Sequence, residues 1–400
     1  MRVPRWLLWT AAAVVSLPLV AGSGSPADEG RVRREVGVMG TSLTVEVRAA
    51  DRAAGLAAAE AAVRAVEAAE ERLSTWRRGG ELDRLNRASA GEAVRLSPAL
   101  ARDLAAAAAC WRATGGAFDP SVGPLVAAWG LREGGRLPAP AEREAARAAT
   151  GLDGLALAAG TARRLRPDLV LDEGGFGKGA ALADAAAALA GLPGTASAVL
   201  SLGGQVLVLG GEAAVPLADP RRRGEAALGL ALDGGSLATS GNGERGIVAG
   251  GARRGHLLDP RRGEPAPDFG SLSVWAADPL AADCLSTGLY VLGADGALAW
   301  AARHRGVEAL ALETRGGRLV ARATEGLARR VRWRAPGLEM EVFAVEPRRA
   351  ASGRPDGDDR AAVPLPQELT TDRPAEPRIT TEVVRDPEDS IDERLSELGG

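Results

Sequence analysis

Between Leu171 and Asp184 the chain reads LDEGGFGKGAALAD. Two adjacent carboxylates, Asp172 and Glu173, precede a six-residue stretch with four glycines and one lysine, and an alanine-rich helical run follows. A strand-like run over residues 164–171 leads into the turn. Glycines at this density leave no Cβ between backbone and ligand, so the N–H groups could close on an anion. The N-terminus of the following helix would add positive potential. Lys178 is the only lysine in the sequence; apart from two histidines, every other basic residue is arginine. A compact ammonium fits where a planar guanidinium would not, although a single lysine must also fall somewhere by chance. Two familiar phosphate loops do not match. A Walker loop needs Ser or Thr after the Gly-Lys pair, and Gly179 stands there. A dinucleotide fingerprint forced through Gly175, Gly177 and Ala180 lacks the acidic ribose partner and the repeated βαβ pattern.

The rest of the chain sets the frame for this loop. Its 400 residues make one large domain or two, enough to bury a core. A formal net charge of −3 implies no polyanion, so nucleic acid is not an expected partner. Residues 347–400 carry 8 basic and 13 acidic side chains, are rich in proline, and lack periodicity. They read as a disordered tail, with a short helix near residues 390–398. Residues 1–30 read as an export signal: Arg2 and Arg5 precede an apolar run from Trp6 to Val20, and small residues follow. That run is short for a membrane span, and no cysteine follows it for lipid attachment. Cleavage near residues 21–23 is expected; left uncleaved, the segment would hold the protein at a membrane. Either way the folded part, residues 31–346, is expected to work outside the cytoplasm, in a periplasmic or other extracytoplasmic space. Cys110 and Cys284 can pair only if the fold brings them together; two buried, unpaired thiols is the simpler reading.

Along the chain, residues 36–48 alternate like one strand with a kink at Met39-Gly40-Thr41. A long helix over 53–73 ends in Ser74-Thr75-Trp76-Arg77, and a short helix follows over 81–86. Trp76, at a helix end among polar residues, is either a core plug or a stacking platform for a flat ligand, and the plug is the default. An amphipathic helix over 98–114 runs into two Gly/Pro clusters around Asp119, which mark a shaped loop. A helix to Trp129-Gly130, a surface loop over 132–140, a helix over 141–150 and a hairpin over 155–171 follow. Beyond the glycine loop come a helix over 180–192 and a strand over 198–209, broken at Gly203-Gly204 by a bulge or close approach. Strands are expected over 215–219, 226–232 and 272–277, with closing strands in 306–327 and 331–345. Residues 237–245 read as a hydroxyl-rich turn, and His256 alone reads as structural. Asp278 and Pro279 suit the N-cap and N1 of a helix over 279–292. On it Leu285, Leu289 and Leu292 form one stripe, while Asp283, Ser286, Thr287 and Tyr290 share the other face. A carboxylate with hydroxyls one turn away is a fair oxygen set for a hard cation such as Mg²⁺; a solvated polar face is the alternative. Strands broken by irregular glycine turns predict an α+β fold with mixed, mostly antiparallel sheets flanked by helices, not a doubly wound sheet.

Eight pieces, in order, resemble the ApbE-type flavin transferases (FAD:protein FMN transferases). They are MGT at 39–41, LSTWR at 73–77, GGAFDPSVGPLVAAWG at 115–130, LDEGGFGKG at 171–179, SLGGQVLVLG at 201–210, ATSGNGER at 238–245, HLLDPRRGEP at 256–265 and ADCLSTGLYVLG at 282–293. The resemblance spans residues 35–300 and implies an ApbE/T-fold-like domain. It implies Mg²⁺-dependent movement of FMN from FAD to a threonine or serine hydroxyl of an exported target, a redox subunit, through a phosphoester with release of AMP. It implies that Met39, Trp76, Ala117, Phe118, Asp119, Asp172, Lys178 and Leu257 line the FAD site. It also implies that Asp283 and Thr287 bind Mg²⁺ with the Gly175 carbonyl, that Ser286 lies nearby, and that His256 sits close to the reacting phosphate. The chain departs from the family pattern at Ala180, where an aromatic is common, at Ala183, where an aspartate is usual and Asp184 stands one late, and at Ser201, with no asparagine before Gly203-Gly204.

The residues and the resemblance agree chemically. A pyrophosphate needs donors, a cation and a positioned base. The glycine loop with Lys178 and the Asp283/Thr287 pair would supply the first two. Trp76 and Met39 would give a flavin ring flat apolar contacts. Mg²⁺ would neutralise charge on the pyrophosphate as the target hydroxyl attacks phosphorus, and AMP would leave. The base is Asp283 or His256, and an imidazole has the better intrinsic pKa. The same site would serve Mg²⁺-dependent hydrolysis of FAD to FMN and AMP, or flavin binding without turnover. All three require Asp283 and Thr287 to face Gly175 and Lys178.

Overall fold

The structure is a computed structural model that describes residues 30–222, 224–243, 246–345 and the strand Ile379–Val383. The apolar N-terminal segment and the helix expected near residues 390–398 lie outside the described residues. Ten strands form one sheet: β1 (Arg31–Val38), β2 (Thr41–Ala49), β3 (Thr195–Leu202), β4 (Gln205–Leu209), β5 (Gly235–Gly241), β6 (Gly270–Ala276), β7 (Val307–Arg315), β8 (Arg318–Thr324), β9 (Glu339–Val345) and β10 (Ile379–Val383). They lie side by side in chain order. Every neighbouring pair is antiparallel except β8–β9, which are parallel. The helices are excursions from this ladder. α1 (Arg52–Leu73), α2 (Glu81–Arg87), α3 (Pro98–Ala113), α4 (Gly123–Ala128), α5 (Pro140–Ala149) and α6 (Gly177–Ala190) fill the connection from β2 to β3. α7 (Pro279–Val291) and α8 (Gly293–Ala301) fill that from β6 to β7, and α9 (Glu325–Ala328) belongs to the crossover that makes β8–β9 parallel.

Strand alternation sorts side chains between two layers. On β7, Ala309 and Ala311 join the core shared with α7 and α8, while Leu310 and Leu312 join the core on the other face. There the cover is a second sheet of Ala213–Ala218, Ala226–Leu232 and Val331–Arg334. Small residues on the helix side let the helices approach. Leucines on the other side fill the gap between the sheets, each fully buried one contributing about 1.5–3 kcal/mol. α1 starts at Asp51, whose side chain accepts the Ala54 N–H at 2.8 Å. Its Ala58, Ala62 and Val66 pack with Ala181 and Ala185 of α6 over Val45 and Val47 of β2. Alanine serves both helix propensity and close helix packing here.

The α+β reading holds, with local corrections. Residues 36–48 are two strands, not one kinked strand: Met39 and Gly40 have φ of 53° and 68°, the two-residue turn that suits strand twist. Gly203 and Gly204, at 52° and 87°, make the same turn between β3 and β4 and not a bulge. The hydroxyl-rich segment expected as a turn begins inside the interior strand β5, where Thr239 pairs with Ser273 at 2.8 Å and Ser240 with Ser286 at 2.9 Å. Polar residues there satisfy one another, so a polar composition misled. The strand expected to reach Leu171 stops at Arg164, and only a bridge from Val122 to Val170 continues it. The helix expected from Ala180 begins at Gly177, which puts Lys178 in its first turn. α8 was not anticipated. Within the segment read as a structureless tail, β10 pairs with β9. Cys110 and Cys284 are both buried and free.

Candidate functional site

α6 has no side-chain cap of its own. Asp283 of α7 supplies one: its Oδ2 accepts the Gly179 N–H at 2.9 Å, and its Oδ1 accepts from Lys178 Nζ at 3.0 Å. The carboxylate is 2% exposed, and a charge buried to that degree needs such partners. α7 is itself fixed by Asp278, which accepts the Leu280 N–H at 2.8 Å, and by Gln205, whose Nε2 donates to the Pro279 carbonyl at 2.8 Å. Glycine is what permits the contact. A Cβ on Gly179 would fall 2.5 Å from the Pro279 oxygen and 2.8 Å from Asp283 Cβ. A Cβ on Gly175 would lie 3.4 Å from Thr287 Oγ1 and 3.1 Å from Phe118. Asp283 and Thr287 therefore do face Gly175 and Lys178.

The loop is not the open anion cradle that its composition suggested. Gly174 N–H donates to Asp172 at 2.9 Å; Phe176 and Gly177 donate to the Glu173 carbonyl at 3.0 and 2.7 Å; Gly179 is taken by Asp283. Its glycines serve close packing instead. The cation facing outward is the Lys178 ammonium, on a side chain 27% exposed at the helix N-terminus. A divalent ion at this junction would have to share the Asp283 carboxylate with Lys178 and Gly179. Among the described residues no group of three or more His, Cys, Asp or Glu could hold a metal. Asp283 and Thr287 offer one carboxylate and one hydroxyl, a set that suits Mg²⁺ completed by water and substrate phosphate. Ser286 is spent differently: its hydroxyl donates to the Asp283 carbonyl at 2.9 Å and meets Ser240.

A second cluster surrounds Trp76, which is 66% exposed and so is not the core plug. The Arg132 guanidinium lies 4.5 Å from the indole centroid. Arg132 also donates to the Thr75 carbonyl at 3.1 Å, the Thr75 hydroxyl at 2.5 Å and Asp172 Oδ2 at 2.5 Å. Thr75 in turn donates its hydroxyl and its N–H to Glu173. Burial, and then the neighbouring Asp172 charge, push the Glu173 carboxyl above its ordinary range. A cleft of about 280 Å³ is lined by Thr75, Arg132, Asp172, Val126 and Val170, among others; neither Lys178 nor Asp283 lines it.

The other expected residues are placed as follows. Met39 is the one non-glycine in the left-handed region among the described residues, a conformation that costs about 1–3 kcal/mol. Its N–H is held by Glu70 at 3.0 Å, and its methyl would lie 3.3 Å from a Cβ on Gly177. Ala117, Phe118 and Asp119 are buried. Asp119 spends its carboxylate on Ser121 and on the Leu152 N–H, and burial pushes its pKa up. His256 and Leu257, both half-buried, hang from Asn242 Oδ1 through their N–H groups at 3.1 and 3.5 Å. Asn242 donates to the Tyr290 hydroxyl at 3.1 Å, which donates to Asp268 at 3.1 Å. Burial, with the Asp268 charge, pushes the Tyr290 phenol well above its usual range. The His256 segment is thus tied to α7, the helix that carries Asp283. Asn242, Arg132 and Gln205 were not foreseen. Asn242 sat in a segment read as a turn, and the only sign of Arg132 was a basic residue shortly after Trp129-Gly130.

The ApbE family model matches residues 39–311. The chain is similar to the FAD:protein FMN transferase of Rhodobacter capsulatus, 36% identical over 225 residues, which cover 54% of this chain and 42% of that protein. The chain thus spans less than half the length of that relative. It is also similar to the FAD:protein FMN transferase of Salmonella typhimurium, 33% identical over 55% of this chain and 67% of that protein. Its fold matches the flavin transferase ApbE from Vibrio cholerae with a TM-score of 0.66, at 24% identity, over 75% of this chain and 98% of that one.

Proposed function

The chain belongs to the ApbE family, and on that premise we propose that it is an Mg²⁺-dependent FAD:protein FMN transferase acting on an exported redox protein. The observation that carries this reading is the junction of α6 and α7. It sets one buried carboxylate and one hydroxyl against the glycine loop that carries the only lysine of the chain. Asp283 and Thr287 would hold the ion, which when bound supplies charge neutralisation at the pyrophosphate. Lys178 pairs with Asp283 in the free protein and would pair with phosphate oxygens in the complex. Trp76 offers its exposed face to a flat ring. An acceptor threonine or serine oxygen forms a bond to the FMN phosphorus as the bond to AMP breaks, and the hydroxyl proton passes to His256 as general base. Asn242 holds that histidine's backbone. The sequence of residues 1–30 supports export, with membrane attachment if that segment is retained.

The test is incubation with FAD, Mg²⁺ and a co-expressed acceptor, read by mass spectrometry. Transfer adds one FMN to the acceptor and releases AMP. Free FMN with unmodified acceptor would make the protein a hydrolase, and unchanged FAD would make it a flavin-binding protein.

A further inference from the structure

We propose that Arg132 is a positioning residue for the flavin ring: it braces Trp76 from behind and leaves the opposite face of the indole to the ligand. This rests on the flavin reading above. The guanidinium lies over the ring, 4.5 Å from its centroid, yet most of Trp76 stays open, at 66% exposure. Arg132 is not a loose cover. It donates to the carbonyl and the hydroxyl of Thr75, the residue that carries Trp76, and to Asp172 at the entrance to the glycine loop. It therefore fixes the peptide before the indole, the plane of the indole, and the distance from both to the loop that bears Lys178. An indole at an exposed bend would otherwise sample several rotamers, and a ligand would bear the cost of stopping it. A planar fork that stacks and donates in two directions is a task for arginine; lysine offers one charge point and no plane.

The test titrates FAD, followed by its own fluorescence, into wild type, Arg132→Ala, Arg132→Lys, Trp76→Ala and the Trp76→Ala/Arg132→Ala pair, with folding checked by circular dichroism. Arg132→Ala is expected to weaken FAD binding about tenfold, and to raise KM for FAD more than it lowers kcat. Arg132→Lys should recover little of that loss, and it serves as the probe if the alanine variant does not fold. In the Trp76→Ala background, loss of Arg132 should cost less than about twofold. A full tenfold loss in that background, or full rescue by lysine, would overturn the brace. Failure of the wild-type protein to bind FAD would instead overturn the flavin reading beneath it.

Discussion

The two ends of the site are built in opposite ways. At the α6–α7 junction the carboxylate is 2% exposed and each oxygen has a protein partner. At the other end, proposed for the ring, Trp76 is 66% exposed and one arginine holds it. The junction is an extension of the core: Gly179 against Pro279 and Gly175 against Phe118 leave no slack. The ring end is made of loops joined by an ion pair. Charge-handling chemistry needs donors that do not move when charge develops, whereas a flat ring needs only a surface of the right orientation. Damage to the junction should therefore appear in rate and fold, and damage to the ring end in affinity.

The sharpest way to break this contrast is Asp283→Asn. The amide can still accept from Gly179, but the charge that would hold a divalent ion is gone. Single-turnover transfer should fall by about a thousandfold, and a chelator should do the same to wild type. A loss confined to FAD affinity would erase the distinction between the two ends. His256→Ala should slow transfer about a hundredfold without a matching change in FAD binding. Gly179→Ala tests the core-like character of the junction: its methyl collides with Pro279, so urea unfolding should show about 1–3 kcal/mol lost. Trp76→Ala should weaken FAD binding by about ten- to thirtyfold, and shift unfolding by less than about 0.5 kcal/mol. Glu173, between the two ends, gives the smallest effect. Its carboxyl is held above its ordinary value of about 4.5, so the folded protein keeps that proton to higher pH than the unfolded chain. The stability it adds is present below about pH 4.5 and is lost as pH rises through the folded value. Glu173→Gln should gain on wild type in urea titrations between pH 4.5 and neutrality.

The same contrast governs what could be read from the chain alone. The long helices were legible because alanine, capping residues and periodicity agree: Asp278 and Pro279 start α7 as the pattern required. The pairing of Asp283 with the Lys178 loop was legible through the motifs. The inner workings of that loop were not, because glycine density signals either an anion cradle or close helix packing, and only the position of Pro279 decides between them. β5 was missed because Thr239 and Ser240 find partners on β6 and α7, which no local pattern announces. Arg132 was missed for a related reason. Its partners Thr75 and Asp172 lie 57 and 40 residues away in sequence.

The intact mass of an exported acceptor protein, after incubation with this protein, FAD and Mg²⁺, tests the whole account most directly. The expected result is an acceptor carrying one covalent FMN, with an equal amount of AMP and with no adduct from Asp283→Asn. An unmodified acceptor beside intact FAD, or an adduct that forms equally well with Asp283→Asn, would contradict it.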